Sequence, residues 1–193
     1  MNVAELKAAN AARWAAMRID PRTERLFERV ATRLIDPAAK ARYAAVAART
    51  RVPWFVIAVI HEREASQSWV ANLAQGDPWN SVSVHVPKGQ GPFQSWEDAA
   101  VNALERSAPY AAHWADWSIG GALTLLEEYN GLGYARRSVP SPYLWAGTDQ
   151  YRSGKYIADG HYDPNAIDHQ LGCAALLARM AVLDKSIDLG ALQ

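Results

Sequence analysis

A chain of 193 residues, half of them hydrophobic, is long enough for one globular domain with a sizeable core. Its 20 basic and 20 acidic residues give a formal net charge of zero, which argues against a nucleic-acid-binding protein because such proteins usually carry a basic excess. The one cysteine, Cys173, excludes an internal disulfide, and we expect it to be a small buried residue on a helix.

Two features of the sequence indicate whether the protein carries a secretory signal and whether it enters a membrane. Residues 1–14 contain no basic stretch followed by an apolar run, so we expect synthesis in the cytoplasm without a secretory signal. The most apolar run, residues 52–60, is too short to cross a bilayer, and we expect no stable insertion into a membrane. We expect a monomer.

The first 50 residues are predicted to be helical and to form an N-terminal segment packed on a domain of residues 51–193. Asp36 followed by Pro37 is typical of a helix N-cap and first helical position, so a helix is expected to run from there to about residue 49. Pro53 opens the next predicted helix, with Thr50 or a neighbour as its cap. Its first residues are apolar on every face, which indicates a buried helix that ends near residue 65.

Gly and Pro residues, which interrupt helices and strands, separate the predicted elements that follow. Alternating polar and apolar residues predict a short strand or hairpin arm at 81–87. Ser95 is expected to cap a helix that ends near residue 107. Asp116 or Ser118 is expected to begin the next helix.

That helix is predicted to end at Asn130 and Gly131, because glycine suits a left-handed C-terminal residue. Residues 131–163 are predicted to form a long loop rich in aromatic residues, and a final helix is predicted over residues 165–184. The predicted fold class is therefore mainly α-helical, with a small β-hairpin and a long aromatic-rich loop.

Glu64 lies at the C-terminal end of the predicted buried helix. Burial and the negative end of the helix dipole would both favour its protonated carboxyl, as a general acid for glycoside cleavage requires. His61 lies three residues earlier on the same face and is a candidate to orient Glu64, whereas Arg63 could oppose protonation by pairing with it. The alternative is a solvated helix end with ordinary charges.

Other catalytic patterns are incomplete. His61 and Glu62 begin a zinc-binding His-Glu-x-x-His pattern, but its fifth position is Ala65. The chain contains no Gly-x-Ser-x-Gly sequence and no Gly-rich phosphate loop. We therefore expect neither a metal nor another cofactor.

Residues 57–66 resemble the helix that ends in the catalytic Glu of goose-type lysozymes and lytic transglycosylases. In many of those proteins Ser follows the Glu directly, whereas here Ala65 stands between Glu64 and Ser66. Residues 128–131, Glu-Tyr-Asn-Gly, resemble a segment that lines the same cleft in those enzymes.

A closer resemblance is to lysozyme-like proteins encoded by phages and bacteria, and it covers about residues 52–180. Five segments carry it: Gly-Asp-Pro within 75–78, Val-His-Val-Pro at 84–87, the Tyr-rich segment 129–134, Ser-Pro-Tyr-Leu-Trp at 141–145 and Gly-Lys-Tyr at 154–156. Together the segments are specific, whereas any one alone would be weak.

The resemblance implies a lysozyme-like fold and a peptidoglycan-degrading glycosidase, or muramidase. Such an enzyme cleaves the β-1,4 bond between N-acetylmuramic acid and N-acetylglucosamine, and Glu64 would be its general acid. Asp77 is a candidate second catalytic carboxylate, with a turn residue before Pro78 as the alternative. The candidate substrate-binding residues, for several of which packing is the alternative, are His61, His85, Tyr129, Asn130, Tyr143, Trp145 and Tyr151.

The implied partner is the glycan strand of peptidoglycan. A phage or prophage endolysin, or a hydrolase carried by the virion, would reach the wall after release. Two alternatives stay open: a lytic transglycosylase that uses the same acid while a hydroxyl of the substrate attacks, and an inactive glycan-binding or phage structural protein.

Overall fold

The computed structural model of this protein describes residues 2–74, 76–85 and 87–189. As predicted, this part of the chain is mainly helical, with a small two-stranded antiparallel sheet. The helices are α1 (Val3–Ala16), α2 (Glu24–Leu34), α3 (Pro37–Thr50), α4 (Trp54–Ala65), α5 (Trp96–Arg106), α6 (Ile119–Tyr129), α7 (Gly133–Arg136), α8 (Pro142–Trp145) and α9 (Cys173–Leu183), and the strands are β1 (Lys155–Ala158) and β2 (His161–Asp163).

The chain divides into two compact units, and the division falls within α2. The first unit comprises Met1–Ala31 and Asp116–Gln193, and the second comprises Thr32–Ala115. This division differs from the predicted boundary at residue 50. In the first unit α1 packs against α6, whereas in the second α3 packs against both α4 and α5.

In the second unit, helix α3 begins where the sequence predicts. The Asp36 carboxylate accepts hydrogen bonds from the backbone N–H groups of Ala38 and Ala39, at 3.0 and 3.3 Å, and Pro37 occupies the first turn of α3. These contacts satisfy two donors that a helix start otherwise leaves unpaired. Thr50 does not cap α4, because it is the last residue of α3 and its hydroxyl binds the Val46 carbonyl.

Helix α4 is buried almost all round, as its apolar sequence predicts. Its buried residues are Phe55, Val56, Ile57, Ala58, Val59, Ile60, His61 and Arg63. Among the described residues no single helix is long and apolar enough to cross a bilayer, and α3 and α4 meet that test only as a pair bent by 113°.

The strand predicted at 81–87 is not present over residues 81–85, and residue 86 lies outside the described residues. The backbone N–H groups of Val84 and His85 donate to the Asp77 carboxylate instead of to a neighbouring strand. The side chain of Asp77 thus occupies the donors that a β-ladder would need.

The small sheet forms within the segment predicted as a loop. β1 and β2 pair through Lys155 with Asp163 and Tyr156 with Tyr162, and Gly160 in the turn has a φ of +70°. The turn glycine and the ring contact between the two tyrosines account for a hairpin whose strands, of four and three residues, are too short to show a clear pattern in the sequence.

The sequence predicted both ends of α6 correctly, but it placed the start of α9 too early. Ser118 caps α6, and the chain leaves this helix through Gly131 at a φ of +90°, both as predicted. Helix α9 begins at Cys173 rather than near residue 165, because residues 164–172 are tied to an earlier loop, for example by Gly154 N–H donating to the Ala166 carbonyl. Cys173 is fully buried.

The cap of α3 gives a stability prediction. We expect Asp36→Ala to lower the free energy of unfolding by about 1 kcal/mol, because two backbone N–H groups lose their acceptor. Asp36→Asn is the matched control, since asparagine caps helices about as well. Urea unfolding followed by circular dichroism measures both variants, and equal losses would contradict a capping role.

Candidate functional site

The segment after α4 is fixed by a chain of hydrogen bonds through His61. His61 Nε2 lies 2.9 Å from the Ser68 carbonyl, so it donates there, and Nδ1 accepts from the Tyr43 hydroxyl at 3.0 Å. The Tyr43 oxygen in turn accepts from the Gln67 amide at 3.1 Å. The rings of His61 and Tyr43 pack in one cluster with Trp69 and Trp96.

His61 is therefore not a substrate-binding residue, and its prediction as one is wrong. Its side chain is fully buried and both ring nitrogens are engaged inside the second unit. Burial lowers the pKa of His61 to about 4, so the imidazole is neutral near pH 7. A neutral histidine donating one hydrogen bond and accepting one fits the polar chain that crosses this core.

Glu62 holds the end of α2 to the end of α4. Its carboxylate lies 2.6 Å from the Arg33 guanidinium, and its side chain is 15% exposed. Burial raises the pKa of Glu62, while Arg33 and Arg63 oppose that rise. The sequence analysis considered Glu62 only as part of an incomplete zinc pattern and did not predict this contact.

Glu64 occupies the last turn of α4, and its side chain is exposed. The expectation that burial would hold its proton is wrong, because the buried faces of the helix carry other residues. Exposure has a second consequence: a large substrate can reach this carboxyl on a helix that is otherwise packed.

Asp77 is an ordered, mostly buried carboxylate in the loop after α4, with its side chain 10% exposed. One oxygen accepts from the backbone N–H groups of Val84 and His85 at 2.9 and 3.0 Å, and the other lies 2.6 Å from His85 Nδ1. Hydrogen bonds from the backbone and then the ring of His85 lower the pKa of Asp77. Asp77 is thus ionised, and both of its oxygens are occupied.

His85 presents its ring to solvent from the same loop. Its side chain is 72% exposed although Nδ1 is bound to Asp77. The loop is fastened to the chain just beyond α4, since Asn72 N–H donates to the Asp77 carbonyl and the Trp79 indole donates to the Trp69 carbonyl, both at 2.9 Å. The second unit therefore carries an exposed carboxyl and an exposed imidazole on connected, hydrogen-bonded segments.

The aromatic residues proposed to stack on sugars lie in the first unit and are buried. Tyr143 is 2% exposed, Trp145 is 0% exposed and Tyr151 is 8% exposed. The Tyr151 hydroxyl donates to the Gly154 carbonyl and accepts from Asp168 N–H. Because their rings pack inside this unit, the stacking prediction is wrong for these three residues.

Tyr129 and Asn130 are accessible by comparison. Tyr129 is the last residue of α6 and is half-buried, and Asn130 follows it as the exposed C-terminal cap. Both belong to the first unit, whereas Glu64, Asp77 and His85 belong to the second. Their contact with a substrate held by Glu64 stays a prediction.

A buried carboxyl that the sequence patterns did not single out lies in the last turn of α6. Glu127 is 3% exposed, accepts a hydrogen bond from Asn10 at 3.2 Å and has a pKa raised by burial. Its position directly after the mostly apolar residues 122–126 was a signal available in the sequence. Burial leaves it unable to contact a polymeric glycan.

No protein-family model, curated protein or solved structure gives a significant match to this chain. Within the ranges that the structure describes, no group of three or more His, Cys, Asp or Glu side chains could hold a metal ion. The candidate functional residues are Glu64, on the last turn of α4, and Asp77 and His85, in the loop that follows it.

The buried state of His61 predicts a pH-dependent stability. The pKa of His61 lies near 4 in the folded protein, below its ordinary value of 6.5, so the unfolded chain binds this proton first as the pH falls. We expect this group to cost about 2 kcal/mol of stability between pH 7 and pH 5.

Urea unfolding of the native protein and of His61→Gln at both pH values isolates that contribution as a difference in slope. Proton NMR of the native protein provides a second test that does not depend on the variant folding. A His61 ring that becomes charged between pH 7 and pH 5 would contradict the buried, neutral assignment.

The packing of Trp145 predicts a large effect on stability. We expect Trp145→Ala to lower the free energy of unfolding by about 3–5 kcal/mol, because it opens a cavity in the core of the first unit. Trp117→Ala is the control, since Trp117 is only half-buried and should cost less. Unchanged thermal stability in Trp145→Ala would instead restore the ligand-stacking interpretation.

Proposed function

We propose that this protein is a peptidoglycan-degrading glycosidase, a muramidase in which Glu64 is the general acid. The single observation that supports this most is the exposed carboxyl of Glu64 on the last turn of a helix that is otherwise buried. Catalytic acids must be reachable by the substrate and held by a rigid element. Glu64 meets both requirements within the second unit.

Two contacts restrain the end of α4 close to Glu64. The Arg33–Glu62 ion pair lies two residues before it, and the hydrogen bond from His61 to the Ser68 carbonyl fixes the chain after it. The Glu62 carboxylate and the His61 ring are largely withdrawn from water, whereas Arg33 is half-exposed, so solvent competes less with the His61 contact than with the ion pair. The backbone that carries the acid is thereby held while its side chain projects outward.

The proposed reaction breaks the β-1,4 bond between N-acetylmuramic acid and N-acetylglucosamine. Glu64 gives its proton to the glycosidic oxygen as the bond from that oxygen to the muramic acid C1 breaks, and positive charge develops on the sugar. Attack by water would make the protein a hydrolase. Attack by the C6 hydroxyl of the same sugar would make it a lytic transglycosylase.

The resemblance of residues 52–180 to lysozyme-like proteins of phages and bacteria supports the choice of substrate. Under this proposal Tyr129 and Asn130 contact the glycan strand. The site of action is the cell wall, reached by an endolysin after release or by a hydrolase carried in the virion.

A catalytically inactive glycan-binding protein is the second candidate. The exposure of Glu64 favours it, because an exposed carboxyl lacks the burial that raises the pKa of many glycosidase acids. This candidate predicts binding of peptidoglycan without release of fragments.

Digestion of purified peptidoglycan tests the proposal. We expect native protein to release soluble muropeptides and Glu64→Gln to release them about 10²–10⁴ times more slowly, because the leaving oxygen loses its proton donor. Mass spectrometry of the products separates reducing muramic acid ends, which indicate hydrolysis, from anhydro ends, which indicate transglycosylation.

Glu62→Gln is the matched control, since it removes a carboxyl two residues away on the same helix. We expect it to weaken the contact with Arg33 and lower stability, and to slow catalysis far less than Glu64→Gln because the proton donor is still present. Equal loss of activity in both variants would show that Glu64 has no special role. No fragments from the native protein, together with retained binding, would favour the inactive glycan-binding protein.

A further inference from the structure

We propose that His85 is the general base of this reaction and that Asp77 is the residue that positions it. The inference rests on the proposed glycosidase function and assigns the half of the chemistry that Glu64 leaves open. It also replaces the expectation that Asp77 itself is the second catalytic carboxylate.

Asp77 is poorly suited to take a proton from water. Its two oxygens receive three hydrogen bonds, two from backbone N–H groups and one from the His85 ring, at 2.6–3.0 Å. A carboxylate stabilised in this way is a weak base, and the pKa of Asp77 is accordingly lowered. Its mostly buried side chain leaves little room for a water between it and a glycan.

His85 has the properties that Asp77 lacks. Its Nδ1 faces a carboxylate oxygen of Asp77 at 2.6 Å, so Nδ1 donates that hydrogen bond and Nε2 is the ring nitrogen left to act as the base. The ring is 72% exposed, which leaves the other side of the imidazole open to water and substrate. A carboxylate that accepts a hydrogen bond from one ring nitrogen of a histidine fixes the tautomer of the ring. It also stabilises the imidazolium that forms when the other nitrogen accepts a proton.

Asp77 and His85 are both fixed by hydrogen bonds within the loop. The carboxylate of Asp77 binds the backbone of residues 84 and 85 as well as the ring, so the histidine backbone and side chain are fixed by one group. The backbone of Asp77 is in turn fastened to Asn72 N–H. An exposed imidazole would otherwise sample many orientations and lose entropy on binding.

The proposed step is hydrolysis with inversion. A water oxygen forms a bond to C1 of the muramic acid from the face opposite the leaving group, and His85 Nε2 takes one proton from that water. Glu64 gives its proton to the departing N-acetylglucosamine oxygen as the old C1–O bond breaks. One water is consumed, and the new imidazolium and the Glu64 carboxylate exchange protons with solvent to reset the site.

The test compares native protein, His85→Ala, Asp77→Asn and the control His161→Ala on purified peptidoglycan, with and without added imidazole. We expect His85→Ala to lower kcat about 10²–10⁴-fold with little change in KM, because the attacking water loses its base. Added imidazole should restore part of that rate. We expect Asp77→Asn to lower kcat less, and His161→Ala to behave as native protein.

Two measurements separate catalysis from a structural effect. Nitrogen-15 NMR of native protein should show a proton on His85 Nδ1, and Asp77→Asn should shift the tautomer towards protonation of Nε2. Proton NMR of a fresh digest should show the α-anomer of the new reducing end first.

Each contrary outcome has a distinct meaning. Native-like rates in His85→Ala, failure of imidazole to restore its activity, a β-anomer or anhydro ends would overturn the role of His85 while leaving the glycosidase in place. A larger loss in Asp77→Asn than in His85→Ala would return the base to Asp77. A native protein that releases no fragments would remove the proposed function itself.

Discussion

The hydrogen-bond chain from Gln67 through Tyr43 and His61 to the Ser68 carbonyl is the constraint on which the candidate site depends. It crosses a core of aromatic rings and engages both nitrogens of His61 and the hydroxyl of Tyr43, so the cost of taking an imidazole and a phenol out of water is offset by their own contacts. Its ends lie on the chain immediately after α4. The direction in which the protein leaves that helix, and hence the place of Glu64, follows from this buried network.

Outside the core of the second unit, the carboxylate of Asp77 holds a loop in place through hydrogen bonds. Asp77 takes two backbone N–H groups and one ring N–H, which closes the loop and orients His85 together. Such a carboxylate is stabilised in its charged form and loses basicity for that reason. His85 is thus held by a carboxylate that is itself mostly withdrawn from solvent, whereas Glu64 stands on a helix whose end is fixed by His61. Under the proposed function, the buried groups support and the exposed groups react.

Sequence reasoning predicted the site unevenly, and the reasons differ from residue to residue. Glu64 was found because a helix apolar on every face ends in charged residues, but its exposure depends on which direction the last turn faces in the folded unit. His61 and Trp145 carry side chains common in binding sites, and nothing local distinguishes a buried copy from an exposed one. The hydrogen bonds from Val84 and His85 to Asp77 depend on a loop that closes between residues 77 and 85, and no spacing rule predicts that closure.

The sequence by itself determined the helical class, the buried character of α4 and the helix starts at Asp36, Ser95 and Ser118, because capping and helical periodicity act within a few residues. Only the tertiary structure decided where the small sheet forms, where α9 begins and which aromatic rings are buried. Those outcomes require partners distant in the chain, such as α6 and α9 packing against α8, which carries Trp145. Contacts of that kind compete with local preference, and their energies exist only once the units have formed.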